Sequence, residues 1–89
     1  MKVRRTEPFK RDFQRLPDAI KRRTEAALRL LMANRNHRSL RVKKMRREII
    51  KGYDNTLEGR ITRDYRFFFL IETDVFILLR CGRHEEYLK

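Results

Sequence analysis

Two apolar runs separated by three polar residues fix more about this chain than any other feature. The runs are Phe67-Phe68-Phe69-Leu70-Ile71 and Val75-Phe76-Ile77-Leu78-Leu79, and Glu72-Thr73-Asp74 divides them. Short runs of aromatic and β-branched residues bounded by turn formers read as buried strands, and the short link makes the pair an antiparallel hairpin. If Ile71 lies opposite Val75, the register follows by counting outward. Leu70 then opposes Phe76, Phe68 opposes Leu78, and Arg66 opposes Arg80. Like charges directly opposite on one face of a sheet destabilise it. Such a pair invites an anion between its members, and a nucleic-acid phosphate is the obvious candidate.

The rest of the chain supplies what the hairpin needs to bury a face. Lys2-Val3-Arg4-Arg5-Thr6 reads as a short polar edge strand. Thr6 is placed as a helix N-cap, with Glu7 in the first turn and Pro8 just inside. Phe9, Phe13 and Leu16 recur on one helical face until Pro17 ends that helix. Asp18 starts a second helix with Ile20, Ala27, Leu28 and Leu31 on one side. Lys21, Arg22, Glu25 and Arg29 solvate the other, and Asn34 closes it. Leu40-Arg41-Val42-Lys43 alternates like a strand, Lys43-Lys44-Met45-Arg46-Arg47 is a dense basic run, and residues 52–56 form a turn or loop. Strands are expected over 57–62, 65–71 and 75–81, followed by a polar tail over 82–89. An N-terminal strand, a two-helix hairpin and an antiparallel sheet of about four strands make one α+β domain over residues 1–89.

In this register Phe67, Phe69 and Ile71 share a face with Val75, Ile77 and Leu79, and that face is expected under the helices. The other face carries Arg66, Phe68, Leu70, Phe76, Leu78 and Arg80, apolar near the turn and cationic at the far end. An odd-numbered connection to the preceding strand puts Glu58, Arg60 and Thr62 on the cationic face. An even-numbered one would bury Glu58 and Arg60 without partners, so the odd register is favoured. Glu58, Arg60, Arg66 and Arg80 then share one wall, with Arg83 and His84 leaving the strand beside it. The plain alternative is that these arginines are salt-bridged to Glu58, Glu72, Glu85 or Glu86. The apolar half of this face is covered either by residues 46–56 or by a segment of a partner.

The net charge is +12 on 89 residues, and it is lopsided. Residues 1–51 hold 18 Lys/Arg against 5 Asp/Glu, whereas residues 52–89 hold 6 against 7. The strand arginines therefore stand out from a nearly neutral background. A chain this basic associates with polyanions through counterion release. Its single cysteine, Cys81, excludes an intramolecular disulfide and fits a reducing cytoplasm. No apolar run follows Met1-Lys2-Val3-Arg4-Arg5, so no signal peptide is expected, and the longest apolar run is too short to span a membrane. With no Cys/His metal spacing and no Gly-rich phosphate loop, neither a metal nor a nucleotide cofactor is expected. His37 reads as an exposed linker residue. His84, next to Arg83 just past a buried strand, is the candidate for chemistry, because imidazole titrates near neutrality.

Taken in order and spacing, these motifs resemble the RelE/ParE superfamily of bacterial type II toxins, nearer its RelE-like mRNA interferases. The residues that carry the resemblance start with the N-terminal strand and a helical hairpin containing Arg15-Leu16-Pro17. Leu40-Arg41-Val42-Lys43-Lys44, Glu58-Gly59-Arg60-Ile61-Thr62, Tyr65-Arg66-Phe67 and Leu79-Arg80-Cys81-Gly82-Arg83-His84 follow. The segment 46–57 is longer than usual in such toxins. The resemblance implies two helices packed on an antiparallel sheet, and cleavage of mRNA in the ribosomal A site without metal. There the substrate 2′-hydroxyl attacks the adjacent phosphate, leaving a 2′,3′-cyclic phosphate and a 5′-hydroxyl.

By the same resemblance Arg66 holds the scissile phosphate, His84 is the general acid, Arg60 is a supporting cation, and Tyr87 stacks on a base. Such toxins use a lysine or a glutamate as general base. Lys43, Lys44, Glu48 and Glu58 are available, and Glu58 is preferred because it shares a strand face with Arg60. Lys43, Lys44, Arg46, Arg80 and Arg83 are expected to contact RNA. The implied partners are the ribosome, mRNA and a cognate antitoxin lying across the sheet face, all in the cytoplasm, with no membrane and no cofactor. Two other readings stay open. A ParE-like DNA gyrase inhibitor would share the fold but need no Arg66–His84 constellation. A plain RNA-binding module would bind in proportion to net charge and ignore His84.

Overall fold

This computed structural model describes residues 1–46 and 48–87; Arg47 of the basic run and Leu88 and Lys89 of the tail lie outside the described residues. Strand β1 (Lys2–Arg5) leads through Thr6 into helix α1 (Glu7–Gln14). Thr6 caps that helix as its residue type suggests: its hydroxyl accepts from the Phe9 N–H at 3.3 Å. The same hydroxyl donates to the Leu78 carbonyl at 2.8 Å, so one side chain both starts the helix and pins it to the sheet. Pro17 separates α1 from α2 (Asp18–Ala33). Asn34 ends α2 in an extended rather than left-handed conformation, and its side-chain oxygen accepts from the Asn36 N–H at 3.1 Å. A 3-10 turn (Arg38–Leu40), β2 (Lys43–Lys44), β3 (Leu57–Arg60), β4 (Tyr65–Glu72), β5 (Val75–Arg83) and a single helical turn α3 (His84–Tyr87) complete the order.

The fold is α+β, with five strands in the order β1-β5-β4-β3-β2. β1 runs parallel to β5, and the other neighbours are antiparallel. Among the described residues no helix is long and apolar enough to cross a membrane.

The β4–β5 register departs from expectation in two places. Its turn consists of Thr73 and Asp74 alone, so Val75 faces Glu72 instead of Ile71. Two-residue connections match the twist of paired strands better than longer ones, and Thr73 accepts the left-handed backbone that this requires, with φ 46°. A slip of one residue turns every side chain of a strand to its other face. Phe76, Leu78 and Cys81 consequently join Phe67, Phe69 and Ile71 beneath the helices. Val75, Ile77 and Leu79 lie with Phe68 and Leu70 on the opposite face. A bulge then leaves Leu79 without an opposite number, so Phe68 faces Arg80 and Arg66 faces Gly82. The expected Arg66–Arg80 pair does not form.

The helix-side core packs Phe9, Leu16, Ala27, Leu28 and Leu31 on Phe67, Phe69 and Leu78. The Phe67 ring crowds Gly59 so closely that an added Cβ would overlap it, so only glycine fits there. Phe67 is 0% exposed, and its truncation to alanine should cost about 3–5 kcal/mol. On the other face Ile50 is buried against Phe68, Ile77 and Leu79, with Met45, Ile49 and Tyr87 packed around them. The chain thus covers the apolar half of this face with its own residues. A partner segment expected across the whole face has only the cationic end left to it.

Candidate active site

The cationic end of the open sheet face is assembled by three neighbouring strands. Register places Lys43 of β2 opposite Glu58 of β3, and Arg60 of β3 opposite Arg66 of β4. The odd-numbered connection between β3 and β4 therefore holds, and the pair of facing arginines is Arg60 with Arg66. Lys44 opposes Leu57, a residue packed on the helix-side core, and so belongs to the other face. Arg46 is exposed beyond β2, outside this group.

Glu58 sits at the centre and is only 3% exposed. Its Oε1 lies 3.6 Å from Arg66 Nε and 3.8 Å from Lys43 Nζ. Its Oε2 is buried with no hydrogen-bond partner among the described residues. A buried carboxylate requires compensation, and two cations share one of its oxygens. So enclosed, the carboxylate is turned toward its cationic neighbours.

Arg66 is fixed from below. Its Nη1 donates to the carbonyls of Thr62, Arg63 and Tyr65 at 2.6, 3.0 and 3.0 Å. Those carbonyls belong to the β3–β4 turn and the first residue of β4, so the turn wraps the guanidinium. Nη2 has no partner among the described residues, which leaves a donor edge of the fork for a ligand. Burial pushes the Arg66 guanidinium below its ordinary pKa; Glu58 raises it again, and Arg60 and Arg41 lower it. Arg41, in the left-handed conformation after the 3-10 turn, is thus a further cation of this site. The alternation of Arg41 with Lys43 in the sequence was the signal for it. Lys43 and Arg66 flank the Glu58 carboxylate, Arg60 faces Arg66, and Arg41 lies close enough to act on Arg66, and this local excess of positive charge suits a phosphodiester.

His84 follows Arg83 at the end of β5, two positions past Gly82, the partner of Arg66. Its N–H donates to the Asp64 carbonyl at 2.7 Å, which continues the β4–β5 ladder by one step. The half-buried imidazole lines a small cavity of about 120 Å3 with Asp64, Arg83 and Glu85. Arg83 donates from Nε to Glu85 at 3.2 Å and lies over the Tyr65 ring at 5.8 Å from its centroid. Tyr87 folds back on the sheet instead of projecting as a stacking platform. Its ring centroid is 4.7 Å from that of Phe68, and burial pushes its phenol up to about 12.

Arg80 is placed elsewhere. It pairs bidentately with Asp12 of α1, from Nε at 2.6 Å and Nη2 at 3.0 Å. Asp12 Oδ2 also accepts the Cys81 N–H at 3.1 Å, beyond Leu78 where β1 stops pairing with β5. The carboxylate thereby replaces a missing strand. The hydrogen bonds to Asp12 hold the Arg80 guanidinium above its ordinary pKa. The salt-bridge alternative for the arginines is therefore met at Arg66 by Glu58, at Arg83 by Glu85, and most tightly at Arg80, through a helix carboxylate that strand counting did not consider.

No protein-family model matches the chain, and no curated protein matches it in sequence. Solved structures match over almost the full length. The YoeB/ParE toxin from Agrobacterium tumefaciens superposes with a TM-score of 0.76 at 16% identity, covering 94% of this chain and 99% of that one. The fold is that of the RelE/ParE-superfamily toxins. A chain of the RelB–RelE antitoxin–toxin complex from Methanococcus jannaschii gives 0.71 at 23% identity, with 94% and 93% covered. A chain of the E. coli DinJ–YafQ toxin–antitoxin complex gives 0.76 at 10%, with 98% and 96% covered. The RelE-like fold thus persists here where sequence likeness has nearly vanished, carried by the helix pair and the five-stranded sheet.

Proposed function

We propose that this chain is the toxin of a type II toxin–antitoxin system, a ribosome-dependent mRNA endoribonuclease that needs no metal and halts translation. The observation that carries the reading is the cation group around Glu58, with the free donor edge of Arg66 at its centre. In this reading Arg66 clasps the scissile phosphate, and Arg60, Lys43 and Arg41 lower the cost of charge gathering on its oxygens. The 2′-hydroxyl gives up its proton to solvent water as it attacks phosphorus, the 5′-oxygen leaves, and His84 gives that oxygen its proton. Glu58 acts through Arg66 and Lys43 as a positioning residue, since its carboxylate is enclosed. The basic helices and Arg46 dock on ribosomal RNA, and a cognate antitoxin covers the cationic end. Ribosomes programmed with a defined mRNA test this. Cuts inside codons with cyclic phosphate ends are expected, whereas intact mRNA alongside DNA breaks would favour a gyrase inhibitor and sink the nuclease.

A further inference from the structure

A second concavity lies around the end of β5, on the side of the helices. It is a cleft of about 350 Å3 bounded by Arg15 and Pro17 at the α1–α2 junction, Tyr65 of β4, and Gly82 and Arg83 of β5. The bidentate Asp12–Arg80 pair forms its floor, so that part is rigid. Arg15 is exposed and has no ion-pair partner among the described residues. Tyr65, Pro17 and the flat Arg83 guanidinium offer surfaces against which a planar base can lie. Arg83 also lines the small cavity that holds His84, so the two cavities meet at one side chain.

We propose that this cleft receives the nucleotide downstream of the scissile phosphate, the one that departs with the 5′-hydroxyl. The inference rests on the endoribonuclease reading, in which His84 protonates the leaving 5′-oxygen. The nucleotide that owns this oxygen must begin beside His84, and Arg83, which borders both cavities, links that point to the cleft. Arg15 at the far wall then meets the next phosphate along the strand, while the base lies between Pro17 and Tyr65. The RNA thus bends over the end of β5, with its upstream part on the open sheet face and its downstream part on the helix side.

Nuclear magnetic resonance titration of the full chain reads this directly. The probe is an adenylyl dinucleotide that carries a 3′-terminal phosphate and whose upstream 2′-oxygen is methylated, so that it cannot be cut. The amides of Arg15, Tyr65 and Gly82 are expected to shift saturably, and Arg15→Gln should weaken that affinity about tenfold, as loss of one charge-assisted contact does. Adenosine 3′-phosphate, which lacks a downstream residue, should shift the surroundings of Arg66 and leave the cleft unmoved. Dinucleotide shifts confined to the Arg66 side, or an unchanged affinity in folded Arg15→Gln, would overturn the proposal. Cleavage on programmed ribosomes separates it from its parent. If mRNA is cut and Arg15→Gln alters neither KM nor the preference for the downstream base, the cleft assignment falls alone. If mRNA stays intact while the cleft still binds dinucleotide, the assignment to a leaving nucleotide falls together with the nuclease.

Discussion

Two arginine–carboxylate pairs, Arg80 with Asp12 and Arg66 with Glu58, are built differently. Arg80 and Asp12 meet at 2.6 and 3.0 Å, and Asp12 spends its remaining capacity on the Cys81 N–H. Asp12 is saturated, and the pair ties α1 to the unpaired stretch of β5. Arg66 and Glu58 stand 3.6 Å apart, with Glu58 Oε2 unpartnered and three further cations close by. A bidentate pair on a saturated carboxylate holds a fold together. An underfilled one, with excess positive charge, is prepared for an anion that is not part of the chain.

Substitutions should separate the two pairs, beginning with the largest effect. His84 belongs to the Arg66 side, and His84→Ala should lower mRNA cleavage by about 100-fold or more without changing the circular dichroism spectrum. A full-rate His84→Ala protein would remove the imidazole from the chemistry. Asp12→Ala should cost about 2–3 kcal/mol in urea unfolding, because it strands both the Arg80 guanidinium and a buried strand N–H. An unfolding midpoint like that of the wild type would mean that the saturated pair holds nothing.

Glu58→Gln keeps the shape of the site and removes its charge. Cleavage should fall by about tenfold while its dependence on pH keeps the same form, as for a residue that orients others. Disappearance of the acidic limb of the profile would instead make Glu58 the base. The smallest effect concerns pH. Burial first, and Asp12 second, push the Cys81 thiol from 9.0 up to about 12. The unfolded chain therefore releases this proton before the folded one. Stability should be full below pH 9.0 and decline as pH rises toward about 12, and Cys81→Ala should flatten that decline. Thermal melts at constant ionic strength check the slope.

Much of the fold was legible because local signals agreed with one another. Thr6 and Pro8 set the start of α1, Pro17 set its end, and the two apolar runs set the hairpin. What misled was a choice of one residue. A three-residue turn at Glu72-Thr73-Asp74 and a two-residue turn at Thr73-Asp74 look alike in sequence, yet they send Phe76 and Ile77 to opposite faces. The bulge at Leu79 has no sequence mark either, since Leu78 and Leu79 are the same residue type. The pair of facing arginines did exist, but between Arg60 and Arg66, where the parity of the turn could be argued from the cost of burying charge. Asp12 was unreadable as a partner of Arg80 because 68 residues separate them and only the packed fold brings them together.

The same conservative substitution made at both arginines tests the division most directly. Arg66→Lys and Arg80→Lys each keep a positive charge and lose the planar fork. Urea unfolding and ribosome-dependent mRNA cleavage should be measured on both. Arg66→Lys is expected to lower cleavage at least about 100-fold with little change in unfolding. Arg80→Lys is expected to lose about 1–2 kcal/mol of stability and to cleave within about tenfold of the wild type. The reverse pattern, an active Arg66→Lys and a stable but inactive Arg80→Lys, would contradict it.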